Sequence, residues 1–132
     1  MITTELYNGQ GLGNQLWCYV VTRIIAEKNG YDYGIMGTDR FKGGDFLTLD
    51  VGKEVIGGNG PEGGPPISLP ITITSYYKEL MEYHPSSRLD ISKCDVGLLN
   101  VSDNTKVDGI MQSMVYIKNH REKISNWLKV DV

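Results

Sequence analysis

Two changes of hydrophobic period near the start of the chain predict its first structural unit. Ile2 to Tyr7 alternates weakly, as a strand does, and then meets NGQGLGNQ, a turn-rich stretch holding Gly9, Gly11 and Gly13. Beyond it Trp17, Val20, Val21, Ile24, Ile25 and Lys28 follow the 3, 1, 3, 1, 3 spacing of one helical face. Asn29-Gly30 ends that helix, because glycine tolerates the left-handed conformation just past a helix end. Tyr31 to Met36 reads as a second short strand. Strand, glycine loop, helix and strand make a βαβ unit, so a parallel sheet is expected.

The middle of the chain is less periodic. From Gly37 to Ile56 the pattern predicts loop, with a short helix near Thr38 to Lys42. GGNGPEGGPP, residues 57 to 66, is eight Gly or Pro out of ten and reads as a long surface loop that neither a helix nor a central strand crosses. Ile71 to Ser75 has strand composition, Lys78 to Tyr83 fits a short helix, and His84-Pro85 ends it, since a residue before Pro avoids the α region. Cys94 to Val101 reads as another apolar strand, followed by the polar turn SDNTK. Met114, Ile117, Ile124 and Leu128 then recur at 3, 7 and 4, with Ser113 as N-cap and Trp127 widening the stripe, which predicts one terminal helix. Arg121 falls where that stripe would continue, either as the edge of the buried face or as a cation aimed at a partner.

Size and charge narrow the class. A chain of 132 residues fits one α/β domain, and 40% hydrophobic with 22% charged residues is ordinary globular composition. Lys plus Arg number 13 against 16 for Asp plus Glu, so no basic excess exists to neutralise a nucleic-acid backbone. The longest apolar run, Leu16 to Val21, is far short of the ~20 residues a membrane span needs. MITTELYN lacks the basic and apolar regions of a signal peptide, so a cytoplasmic location is expected. Cys18 and Cys94 have no second pair at zinc-ligand spacing, and Cys18, inside LWCYVV, reads as a buried hydrophobe.

The glycine loop is the main chemical signal. A loop between a parallel strand and a helix is where α/β folds hold anions, because free N–H groups and the helix dipole point into it. The dinucleotide fingerprint G-x-G-x-x-G fails in register, since from Gly11 its third glycine falls on Leu16 and from Gly9 on Asn14. The phosphate-loop motif fails as well, because Gly52-Lys53 is followed by Glu54. What remains is Gly11-Leu12-Gly13-Asn14-Gln15-Leu16 opening LWCYVVTRIIAEKNGY, and it resembles the N-terminal motif of the α-1,2-fucosyltransferases and the wider GDP-fucose-dependent glycosyltransferases. Asp108-Gly109-Ile110-Met111-Gln112-Ser113, followed by Tyr116-Ile117 and the terminal helix, is similar to a second segment of that family. The two matches cover about 40 residues, in the right order; residues 37 to 107 match only loosely.

The resemblance implies a Rossmann-like, three-layer domain with a mostly parallel sheet, equivalent to the N-terminal half of a GT-B enzyme. Such an enzyme transfers fucose from GDP-fucose to a glycan hydroxyl with inversion, and needs no metal or other cofactor. It implies donor or substrate contacts for Gly11, Gly13, Asn14, Gln15 and Gln112. The family's donor half carries H-x-R-x-G-D, whose Arg holds the diphosphate; His120-Arg121-Glu122 is adjacent rather than spaced and lacks Gly-Asp. The expectation is therefore a domain that is inactive without a donor-binding half, partnered by that half or by a second copy. The alternative is a non-catalytic nucleotide- or glycan-binding module of the same fold.

Other candidates carry two readings each. Asn14 either caps its helix or touches a ligand. His84 and His120 have no carboxylate or Cys at ligand spacing and read as surface histidines. Tyr76, Tyr77 and Tyr83 form either a sugar-stacking wall or an ordinary sheet edge. Glu79 and Glu82 lie beside them, and one carboxylate near an acceptor hydroxyl would serve as base. No spacing identifies which residue is catalytic.

Overall fold

The computed structural model describes residues 1–55 and 73–129. The expected long Gly-Pro loop at 57 to 66 lies outside them, as do residues 71 and 72 of the strand expected to start at Ile71. The elements run β1 (Ile2–Glu5), α1 (Leu12–Asn29), β2 (Tyr33–Met36), a 3-10 turn (Thr38–Arg40), β3 (Ser75–Lys78), β4 (Met81–His84), β5 (Leu89–Ser92), a 3-10 helix (Val96–Asn100), β6 (Thr105–Asp108), α2 (Met114–Ile117) and α3 (Arg121–Trp127).

The βαβ unit forms as its pattern predicts. β1 and β2 pair in parallel, and Gly30 ends α1 at φ 74°, its N–H reaching back to the last turn. β6 pairs in parallel with β1 and with β3, giving a four-stranded sheet in the order β2-β1-β6-β3. This is an α/β fold with a parallel sheet flanked by helices, compatible with a Rossmann-like arrangement. Alternation along the strands puts Ile2 and Val107 in one apolar core with Cys18, Val21 and Ile25 of α1, Leu98 of the second 3-10 helix, and Met111 and Tyr116. Ile124 and Trp127 of α3 pack on a second cluster around Tyr19, Val20 and Ile24 of α1. Of the three layers expected, the sheet and the helices on this face are described.

Four local expectations are corrected. Lys78 to Tyr83 is not helical: β3 ends at Lys78 and Met81 begins an antiparallel hairpin, with Met81 opposite Ser92 and His84 opposite Leu89. Cys94 to Val101 is not a strand, because Asp95 caps a 3-10 helix there by accepting from the Gly97 N–H. The turn SDNTK ends early, since Thr105 and Lys106 already belong to β6. The terminal helix is two helices, parted at Lys118 to His120, where Asn119 takes φ 69°. Ser113 is the N-cap of the first, accepting from the Val115 N–H at 3.3 Å.

No helix among the described residues is long and apolar enough to cross a membrane.

Candidate functional site at the strand ends

The sheet order puts a topological switch between β1 and β6. The chain leaves β1 toward β2 on one side while β6 pairs on the other, so the loops that follow these two strands emerge side by side at one end of the sheet. One is the glycine loop and the other is Gly109 to Ser113. The two segments, about a hundred residues apart in sequence, touch directly: Gln112 Nε2 donates to Asn14 Oδ1.

On the glycine side, Gly11 is the N-cap of α1 and supplies no side chain to it. The Gln15 N–H bonds back to the Gly11 carbonyl, and the N–H groups of Leu12, Gly13 and Asn14 have no partner among the described residues. These are the orphan donors of a helix start, at the positive end of an 18-residue helix with no acidic residue in its first turn. Asn14 does not cap α1, because its oxygen is committed to Gln112. None of Gly9, Gly11 and Gly13 has a positive φ, and a Cβ built on any of them meets nothing within 4 Å. Neither backbone conformation nor internal packing requires glycine at these three positions. Gly13 also borders an apolar groove of about 260 Å³ between α1 and the terminal helices, lined by Trp17, Val20, Ile117 and Ile124.

Gln15 is fully buried and built into the scaffold. Its Nε2 donates to the carbonyls of Tyr7 (3.2 Å) and Arg40 (2.9 Å), and its Oε1 accepts from the Lys42 N–H (2.9 Å). The residue therefore shapes the loop from behind. Cys18 does the same from α1: it is buried, its Sγ donates to the Gly109 carbonyl at 3.2 Å, and burial pushes its thiol up to about 12.

The Gly109 to Ser113 loop is held by a buried carboxylate. Glu79 Oε1 accepts from the Ile110 and Met111 N–H groups at 3.1 and 2.8 Å, and Oε2 accepts from the Tyr116 hydroxyl at 2.6 Å. Tyr116 in turn accepts from the Asp95 N–H at 2.8 Å, and Asp95 Oδ2 accepts from the Tyr77 hydroxyl at 2.7 Å. Gly109 has to be glycine here, with φ 151° and a Cβ position only 2.5 Å from Glu79 Cβ. Glu79 is thus buried with its oxygens spent on the loop and Tyr116, and Glu82 is exposed on the hairpin.

The tyrosine wall does not assemble. Tyr76 and Tyr77 are neighbours on β3 and point to opposite faces, Tyr77 toward the helical core and Tyr76 away from it, while Tyr83 is exposed on β4. His84 is exposed and bonded to Ser86, His120 begins α3, and Arg121 is exposed, in keeping with the edge of a buried face.

Sequence reasoning missed a polar row on the sheet face opposite α1. Arg40 pairs with Glu5 Oε2 at 3.1 Å, Lys106 Nζ donates to Glu5 Oε1 at 3.0 Å and to the Tyr7 hydroxyl at 3.1 Å, and Asp108 Oδ2 accepts from both Tyr7 (3.0 Å) and Tyr76 (2.9 Å). Its one sequence signal is the alternation TKVD, which sends Lys106 and Asp108 to one face and Thr105 and Val107 to the other.

Compared with protein-family models, curated proteins and solved structures, the chain matches none.

Proposed function

We propose that this chain is the N-terminal half of a fucosyltransferase-like GT-B glycosyltransferase, one that moves fucose from GDP-fucose to a glycan hydroxyl when joined by a donor-binding half. The observation that carries this reading is the meeting of Asn14 with Gln112 where the two loops adjoin. The two segments that resemble the family lie about a hundred residues apart in sequence, and one ligand site would require them to be close. The free N–H groups of Leu12, Gly13 and Asn14, and glycines that the fold itself does not need, support a diphosphate lying against the start of α1. In this reading Gly11 and Gly13 keep side chains away from the phosphate oxygens, while Asn14 and Gln112 orient the donor. Gln15 acts through the loop backbone.

The departing GDP needs more than this loop supplies. A helix dipole gives about 0.3–1 kcal/mol to a charge near an exposed end, and stabilising a diphosphate leaving group calls for positioned cations as well. The H-x-R-x-G-D arginine of the family would be that cation. Residues 1 to 132 alone should therefore not transfer fucose, and adding a separately made donor half should restore turnover that Asn14→Ala then lowers. Transfer by the chain on its own would overturn the two-half reading. Binding of GDP with no turnover in any pairing would favour the non-catalytic module.

A further inference from the structure

We propose that Arg23 anchors a binding site for a small aromatic carboxylate, in a cavity between α1, the start of β2 and α3. The guanidinium lies against two aromatic rings, 4.1 Å from the centre of the Trp127 ring and 4.8 Å from that of Tyr33. Its Nη1 donates to the Tyr19 hydroxyl at 3.1 Å, and the hydroxyls of Tyr19 and Tyr33 both donate to the Asp50 carbonyl, at 2.7 and 2.9 Å. Rings and cation are thus fixed together. Arginine carries five N–H donors, and only this one finds an acceptor among the described residues. No carboxylate among the described residues pairs with Arg23. A half-buried guanidinium clamped in place with donors unspent is a preorganised receptor for an oxyanion, because its planar fork loses little freedom on binding.

The cavity beside Arg23 holds about 410 Å³, and Glu27, Tyr31, Asp32, Lys123 and Trp127 also line it. Its charges decide what enters. Lys123 and Glu27 pair with each other at 2.6 Å, which leaves Arg23 as the cation without an ionic partner and the exposed Asp32 as a second carboxylate nearby. One negative charge is therefore suited to the site, whereas a phosphate dianion would be repelled more strongly by Glu27 and Asp32. A carboxylate also matches the guanidinium in shape, with two oxygens in one plane against a planar fork. Tyr31, Tyr33 and Trp127 bring aromatic surface to the same cavity, which fits a flat apolar body behind the carboxylate. Arg23 is about 15 Å along α1 from Gly13, and Tyr33 pairs with Ile2 at the sheet end away from the glycine loop. The site shares no residue with that loop or with Gly109 to Ser113, and it does not rest on the GDP-fucose reading.

The test is an NMR titration of the full chain with phenylacetate, following the backbone amides and the Trp127 indole N–H, with phenylethanol and inorganic phosphate in parallel. Phenylacetate should shift the Arg23, Asp32 and Trp127 signals with a Kd of about 1 mM, and the other two probes should bind there about ten-fold more weakly or not at all. Arg23→Lys, which keeps the charge and loses the fork, should weaken phenylacetate binding about ten-fold. Asp32→Asn should tighten it about two-fold at low salt, because a repelling charge is gone. Asp32 is exposed and leaves the ring stack on Arg23 untouched, so its variant decides the matter even if Arg23→Lys melts early. No shift at these residues, equal shifts with phenylethanol, phosphate binding as tight as phenylacetate, or unchanged affinity in either folded variant would each overturn the proposal. GDP added to the same sample reports on the Leu12 to Asn14 amides, so failure here is distinguishable from failure of the nucleotide reading.

Discussion

Glu79 and Tyr116 are joined by a buried 2.6 Å hydrogen bond, and through it a carboxylate at the end of β3 fixes the loop that carries Gln112. The other Glu79 oxygen takes two backbone N–H groups of that loop, which includes Met111 at a strained φ of 55°. Removing the carboxylate leaves the buried Met111 N–H and Tyr116 hydroxyl and the half-buried Ile110 N–H without this acceptor, at about 1–3 kcal/mol for each fully buried group. Glu79→Ala should therefore lower unfolding stability by about 3 kcal/mol or more in urea titrations, and Glu79→Gln by clearly less, because the amide oxygen still accepts. Equal stability of Glu79→Ala and the parent would mean that the loop holds itself.

Asp95 gives the fold an acid dependence with a defined sign. Burial alone would raise its carboxyl, but hydrogen bonds from the Tyr77 hydroxyl and from the Leu80, Gly97 and Leu98 N–H groups outweigh burial and hold it below the usual range. A carboxylate depressed in the folded state stabilises fully above its unfolded value, about 3.9, and loses that contribution as pH falls through the folded value. Asp95→Asn should cost about 1–3 kcal/mol near pH 7, and the gap from the parent should narrow below about pH 4. Urea midpoints measured at both pH values decide it; a constant gap would contradict the assignment.

The two thiols should differ in reactivity. Cys18 is buried and its thiol is pushed up to about 12, whereas Cys94 is exposed. A thiol reagent at pH 8 should modify Cys94 alone in the native protein and reach Cys18 only in denaturant. Modification of both at the same native rate would show the Gly109 contact of Cys18 opening readily.

Gly13 separates fold from function. Its φ is ordinary and its Cβ position is open, so Gly13→Ala should leave the melting temperature unchanged or raise stability by about 0.5–1 kcal/mol, as helix positions freed of glycine do. Gly13→Val should also fold. Both should weaken nucleotide binding, since a side chain then stands before the free N–H groups. A melting loss with binding intact would assign the glycine to folding. Gly60→Ser, in the Gly-Pro stretch outside the described residues, is expected to change neither.

The parts legible in sequence were those with a single strong period. α1 shows its helical face from Trp17 to Lys28, and Gly30 marks its end, so strand, loop and helix follow. The errors fall where short segments bear two readings. Asp95 turned an apolar run into a capped 3-10 helix, and Asn119 divided a stripe that reads as continuous. Thr105 to Asp108 is too polar to announce a central strand, yet it carries two of the four charged groups of the polar row. That row draws on Glu5, Arg40, Tyr76, Lys106 and Asp108, distant in sequence and adjacent only because β6 inserts between β1 and β3. Pairing order is a tertiary property, and no local pattern encodes it.

The central claim is that a diphosphate lies against the start of α1. Titrating the chain with GDP while following its amide spectrum tests this directly. The account predicts shifts at Leu12, Gly13, Asn14 and Gln112, with weak affinity near millimolar, about 4 kcal/mol, that Asn14→Ala reduces further. Unmoved amides at those four residues across the titration, or tight binding located elsewhere, would contradict it.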